Sequence, residues 1–149
     1  LAERIDSGEL RPDFGPRRLH PSAGAVLVAA RPPLVAFNVE LASPATLEDA
    51  RAIAAQIRDG GAEGLPGVRA IGLWLDSRGV AQVSMNVEDH RRVPLAQVIG
   101  AIARHATPSQ AELVGLAPRV AFDGFPDDLP VANRRTVEDA LAQSSDPAL

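Results

Sequence analysis

The sequence predicts an α+β domain of the ferredoxin-like, split βαβ kind, with an extra strand on its N-terminal side. Three observations predict it. Residues 34–41, 68–76 and 80–88 alternate with the two-residue period of half-buried strands. Residues 46–59 and 94–105 carry apolar side chains at helical spacing instead. Followed by an apolar segment at 111–116, these runs read βαββαβ, an antiparallel or mixed sheet with both helices on one face.

Residues 1–24 are polar and punctuated by Asp6-Ser7-Gly8 and Pro12-Asp13-Phe14-Gly15-Pro16, so they read as a linker or lead-in arm. The Val-rich run AVLVAA at 25–30, ended by Arg31-Pro32-Pro33, is the expected extra strand. In LVAFNVEL, 34–41, Val35, Phe37, Val39 and Leu41 share one wholly apolar face, which belongs to the core. Asn38 and Glu40 then share the open face. The helix at 46–59 has Thr46 as N-cap, Glu48 and Asp49 in its first turn, and Gly60-Gly61 as its stop.

The next two strands, 68–76 and 80–88, are joined by Ser77-Arg78-Gly79, a hairpin signal. In the second, Gln82, Ser84 and Asn86 alternate with Ala81, Val83, Met85 and Val87. In the first, Val68, Ala70, Gly72 and Trp74 oppose Arg69, Ile71, Leu73 and Leu75, and Trp74 is expected beside the amides. Pro94 opens the second helix. Residues 118–125 suit one or two helical turns. Residues 126–149 read as a polar C-terminal tail, with a short helix at 136–142.

Size and composition narrow the chemistry. One domain of 149 residues buries enough surface, roughly 70%, to fold without a staple. With no Cys there is no thiol nucleophile, disulfide or zinc ribbon. All 15 basic residues are Arg, which excludes a Schiff-base or phosphate-loop lysine. A net charge of −4 argues against nucleic acid as the main partner. The apolar run at 23–30 is far short of the ~20 residues a membrane helix needs. No acidic cluster has metal-ligand spacing, and His20, His90 and His105 match no zinc pattern and read as surface residues.

Two helices cover one sheet face only, so the other carries Asn38, Gln82, Ser84 and Asn86. Side-chain amides offer donor and acceptor together, which suits a flat polar heterocycle. The alternative is a plain solvated face, or one packed on another domain. Arg17, Arg18, Arg31, Arg91 and Arg92 are candidates for an anionic ligand, or ordinary surface charge.

Taken together, PDFGP (12–16), HPSAGA (20–25), AARPPLVAFNVEL (29–41), GLPGVRAIGLWLDSRGVAQVSMNVEDH (64–90) and ELVGLAP (112–118) resemble the C-terminal subdomain of glutamate formimidoyltransferase. The resemblance implies that residues 25–125 are that subdomain and that an N-terminal subdomain packs on the open sheet face. It implies binding of N-formimino-L-glutamate and tetrahydrofolate, with transfer of the formimino group in histidine degradation. The family's catalytic His belongs to the N-terminal subdomain, so no catalytic residue is expected in this chain. Gln82, Asn38, Asn86, Ser84 and Arg31 are the expected substrate- and folate-binding residues, with tetrahydrofolate as co-substrate and no metal. A cytoplasmic homodimer is implied as well. Departures are Ala29 for the Gly of a G-A-R turn, Glu40 for an Asn, and a shortened segment at 106–111. The competing expectation is a non-catalytic ferredoxin-like module that binds a small ligand or a protein by its sheet.

Overall fold

The computed structural model describes residues 1–30 and 33–144. The chain divides into two compact units, Leu1–Arg31 and Pro32–Leu149. In the first, helix α1 (Ala2–Asp6) is followed by turns, with an ion pair between Arg4 Nε and Glu9 Oε1 at 2.8 Å. His20 closes a turn: its Nδ1 accepts from the backbone N–H of Ala23 at 3.0 Å.

The expected strand at 25–30 does not form; these residues carry no ladder, and Val26, Leu27 and Val28 are 85–91% exposed. A strand exists only where a partner satisfies its N–H and C=O groups, and an apolar run supplies no partner by itself.

The second unit holds the βαββαβ core. Its strands are β1 (Val35–Leu41), β2 (Val68–Leu75), β3 (Val80–Val87) and β4 (Pro108–Val114), with helices α2 (Leu47–Ile57) and α3 (Leu95–Ala103). A fifth strand, β5 (Val131–Ala132), and helix α4 (Val137–Ser144) follow. The sheet order is β2-β3-β1-β4-β5, antiparallel except for the parallel β4–β5 pair. The fifth strand thus comes from the C-terminal side. In the part expected as a tail, β5 is an addition, α4 is the short helix expected at 136–142, and Ala117 bridges Thr136. The two short β5 residues carry too little periodicity to announce a strand.

Local chemistry explains α2. Thr46 Oγ1 accepts from the Asp49 N–H, and the Asp49 carboxylate accepts from the Thr46 N–H at 2.8 Å, a reciprocal capping box. Its Ala50, Ile53, Ala54 and Ile57 are buried on the sheet. Gly72 permits the close approach: a Cβ there would lie 2.2 Å from the Arg51 backbone N. Val35, Phe37 and Val39 of β1 and Ala81, Val83 and Val87 of β3 are fully buried on the same side. Phe37, Phe122 and Phe125 form an edge-to-face triad, with centroids 5.6–6.4 Å apart. Burying each such ring contributes about 1.5–3 kcal/mol. The opposite sheet face carries no helix from the βαββαβ unit.

Candidate functional site

Strand register decides which side chains meet on that open face. Three rows cross the sheet. Ile71, Ser84, Asn38 and Glu112 are in register from β2 to β4, as are Leu73, Gln82, Glu40 and Gln110, and Arg69, Asn86, Ala36 and Val114. Paired residues of neighbouring strands project to the same face with Cβ atoms about 5 Å apart. Gln82, Ser84, Asn86 and Asn38 therefore form one patch.

Arg31 lies outside the described residues. Trp74 is corrected: it pairs with Ala81, so it shares the helix face with Val83 and Met85. There it lines a hollow with Leu41, Ser43, Pro44, Thr46 and Leu47. The faces of β2 were separated properly by alternation, but alternation alone does not say which face is which; the ladder to β3 does.

The patch is graded in exposure. Asn86 is exposed, Ser84 and Asn38 are half-buried, and Gln82 is 5% exposed. Gln82 lies beside Glu40, itself 7% exposed, whose carboxylate is paired with Arg78 at 2.5 Å. Arg78 Nη2 also donates to Gln110 Oε1 at 3.4 Å. One row away, Asn38 Nδ2 donates to Glu112 Oε2 at 2.9 Å, and Asn133 Nδ2 donates to Glu112 Oε1 at 3.2 Å. A cavity of about 500 Å³ at the β2 edge is lined by Ser84, Asn86, Ile71, Arg69 and Arg58, among others.

Two acids of this face, Glu40 and Glu112, thus join the patch although the sequence did not place Glu112, nor their partners Arg78 and Asn133, at the site. Arg78 hides in a turn, and Glu112 falls at the second residue of a strand placed three residues too late. Its alternation with Ala111 and Leu113 was the signal.

The histidines behave differently from one another. His90 is a correction: it is 8% exposed rather than at the surface, and both ring nitrogens lack a hydrogen-bond partner among the described residues. His105 Nε2 sits 2.9 Å from Glu63 Oε1. Arg91 and Arg92 remain exposed; their backbone N–H groups donate to Asp89 Oδ1 in the turn after β3. Among the described residues no group of three His, Asp or Glu side chains is placed to hold a metal ion. No helix among them is long and apolar enough to cross a membrane.

Residues 36–122 match the formiminotransferase domain, which is more than half of the chain. This chain belongs to the formiminotransferase domain family. The match begins in β1 and ends with the short 3-10 helix Arg119–Phe122, so it spans the open face except for β5. The formiminotransferase domain is 37% identical over 127 residues to a glutamate formimidoyltransferase of Streptococcus pyogenes serotype M1, covering 82% of this chain and 42% of that protein. It is 34% identical over 129 residues to a glutamate formimidoyltransferase of Thermoplasma acidophilum, covering 82% and 41%. The formimidoyltransferase-cyclodeaminase of Sus scrofa is 39% identical over 132 residues, covering 82% and 24%. The chain thus spans less than half the length of these relatives.

Proposed function

We propose that this chain is the substrate- and folate-binding half of a glutamate formimidoyltransferase. The full enzyme moves the formimino group of N-formimino-L-glutamate to tetrahydrofolate in histidine degradation. Residues 1–24 are then the linker from an N-terminal subdomain that packs on the open face and carries the catalytic His. The same reading takes the protein as a cytoplasmic homodimer.

The observation that carries the proposal is the joint placement of Gln82, Ser84, Asn86 and Asn38 on the sheet face opposite the helices, within the stretch matched by the family. In the transfer, the bond from the formimino carbon to the glutamate nitrogen breaks and one to a ring nitrogen of tetrahydrofolate forms. The ring nitrogen loses a proton and the departing glutamate nitrogen gains one. Amides and hydroxyls position such partners by hydrogen bonds; they do not carry the proton. Arg31 adds a cation for a glutamate carboxylate.

The test is formimino transfer by a polypeptide that contains both halves, with Gln82→Ala. Loss of at least tenfold in kcat/KM is expected. Turnover and folate affinity equal to those of the unaltered protein remove Gln82 from the site.

One observation favours the second reading, a non-catalytic binding module. The acids of the face are already paired within the chain, Glu40 with Arg78 and Glu112 with Asn38. Such a module binds a ligand or a protein by its sheet, and the unaltered two-half polypeptide would show no transfer.

A further inference from the structure

We propose that Glu112 is a positioning residue that acts through Asn38. It holds the Asn38 NH2 group and so presents Asn38 Oδ1 to the open face as a fixed hydrogen-bond acceptor. A carboxylate accepts and does not donate. The group of Asn38 that lies 2.9 Å from Glu112 Oε2 is therefore its NH2, and the amide has one orientation. A free asparagine amide has two.

Glu112 is itself fixed from the other side. Its second oxygen accepts from Asn133 Nδ2 at 3.2 Å. Asn133 follows β5 directly and sits in the left-handed region, φ 56°, which asparagine tolerates better than most residues. The pairing of Ala132 with Glu112 in the parallel β4–β5 ladder brings Asn133 within reach. The chain Asn133–Glu112–Asn38 thus runs from β5 across β4 to β1, and the short C-terminal strand has a purpose on the open face.

Among the described residues no donor meets Asn38 Oδ1, and Ser84 is its neighbour in the row. The group it fits is an N–H donor on a planar, nitrogen-rich ligand. This role rests on the proposed function, where either the formimino group or the pterin edge supplies that donor. The two sources are separated by measuring KM for N-formimino-L-glutamate and for tetrahydrofolate independently.

The experiment is a double-mutant cycle of Glu112→Ala and Asn38→Ala in the polypeptide that contains both halves, with Glu112→Gln beside it. NMR of the ¹⁵N-labelled Asn side-chain amides provides a readout independent of turnover. Each single alanine variant is expected to raise one of the two KM values about tenfold, and the double variant to be no worse than either. Glu112→Gln is expected to fall between, because a glutamine both donates and accepts. The Asn38 amide protons should lose their protection in Glu112→Ala. Unchanged KM values in Glu112→Ala, or effects that simply add in the double variant, overturn the role. No transfer by the unaltered two-half polypeptide overturns the proposed function instead, and the amide spectrum then still reports whether Glu112 holds Asn38.

Discussion

Arg78, in the turn between β2 and β3, reaches across β3 to Glu40 on β1, with Nη1 2.5 Å from Oε1. The Glu40 side chain is 9% exposed and that of Arg78 is 50% exposed, so the acid is buried beneath a half-open base. This asymmetry makes a testable difference between the two partners. Arg78→Ala leaves a buried carboxylate without its counter-charge, and a buried acceptor left unsatisfied costs about 1–3 kcal/mol. Glu40→Gln leaves only an exposed guanidinium, which water solvates. Arg78→Ala is therefore expected to lower the urea midpoint clearly, Glu40→Gln much less, and the double variant should recover part of the loss. Equal midpoints for Arg78→Ala and Glu40→Gln would contradict the burial argument.

Gly72 is the second sensitive point. A Cβ there would meet the Arg51 backbone N at 2.2 Å and the Ala50 carbonyl carbon at 2.4 Å. Backbone atoms in a packed helix do not step aside as a flexible side-chain end does. Gly72→Ala should therefore push α2 from β2, with a loss of about 1–3 kcal/mol or more. Thermal unfolding checks it; Gly100, whose Cβ would meet nothing within 4 Å, serves as the control position.

The capping box gives a pH dependence with a definite sign. The backbone N–H of Thr46, then its hydroxyl, hold the Asp49 carboxyl below the usual Asp range. The Thr136 hydroxyl, then its backbone N–H, does so for Asp139 in the first turn of α4, and Arg104 does so for Glu63. Each group has a lower pKa folded than unfolded, so between the two values the unfolded chain binds more protons. Stability therefore rises with pH there: the contribution is present above the unfolded pKa and is lost as pH falls through the folded one. The loss begins near the ordinary values, about 4.3 for Glu63 and about 3.9 for the two Asp residues, and continues to more acid pH. Denaturant midpoints measured down this range should flatten in Asp49→Asn. Thr46→Ala should cost about 1 kcal/mol at neutral pH through the lost cap.

The sequence read the frame of this protein well because its frame rests on periodicity. Thr46 capped α2 as expected, and the apolar face of β1 is the buried one. The amide patch of Asn38, Ser84 and Gln82 followed from the same alternation, since a strand's faces are fixed by parity. What escaped depends on partners distant in the chain. Val26–Val28 look like a strand and find no ladder, whereas Val131–Ala132 look like nothing and find β4. Trp74 changed face because register, not alternation, ties β2 to β3. Glu112, Asn133 and Arg78 entered the site only when β4, β5 and the hairpin turn came together in space.

On the proposed function, formimino transfer moves one proton off a ring nitrogen and another onto the departing glutamate nitrogen, so it would need a free acid/base group at the face. None of the three histidines offers a free, accessible ring nitrogen at the face. His20 accepts from the Ala23 N–H in its own turn, His105 faces Glu63, and both nitrogens of His90 are buried away from solvent. The carboxylates of the face are bonded to Arg78, Asn38 and Asn133. The 149-residue chain alone is accordingly expected to show no formimino transfer above background. On the proposed function, joining the chain to the N-terminal part of a glutamate formimidoyltransferase, in trans or in one polypeptide, is expected to produce transfer. Turnover by the isolated chain would place the proton-transfer group within it, with His90 the first residue to replace.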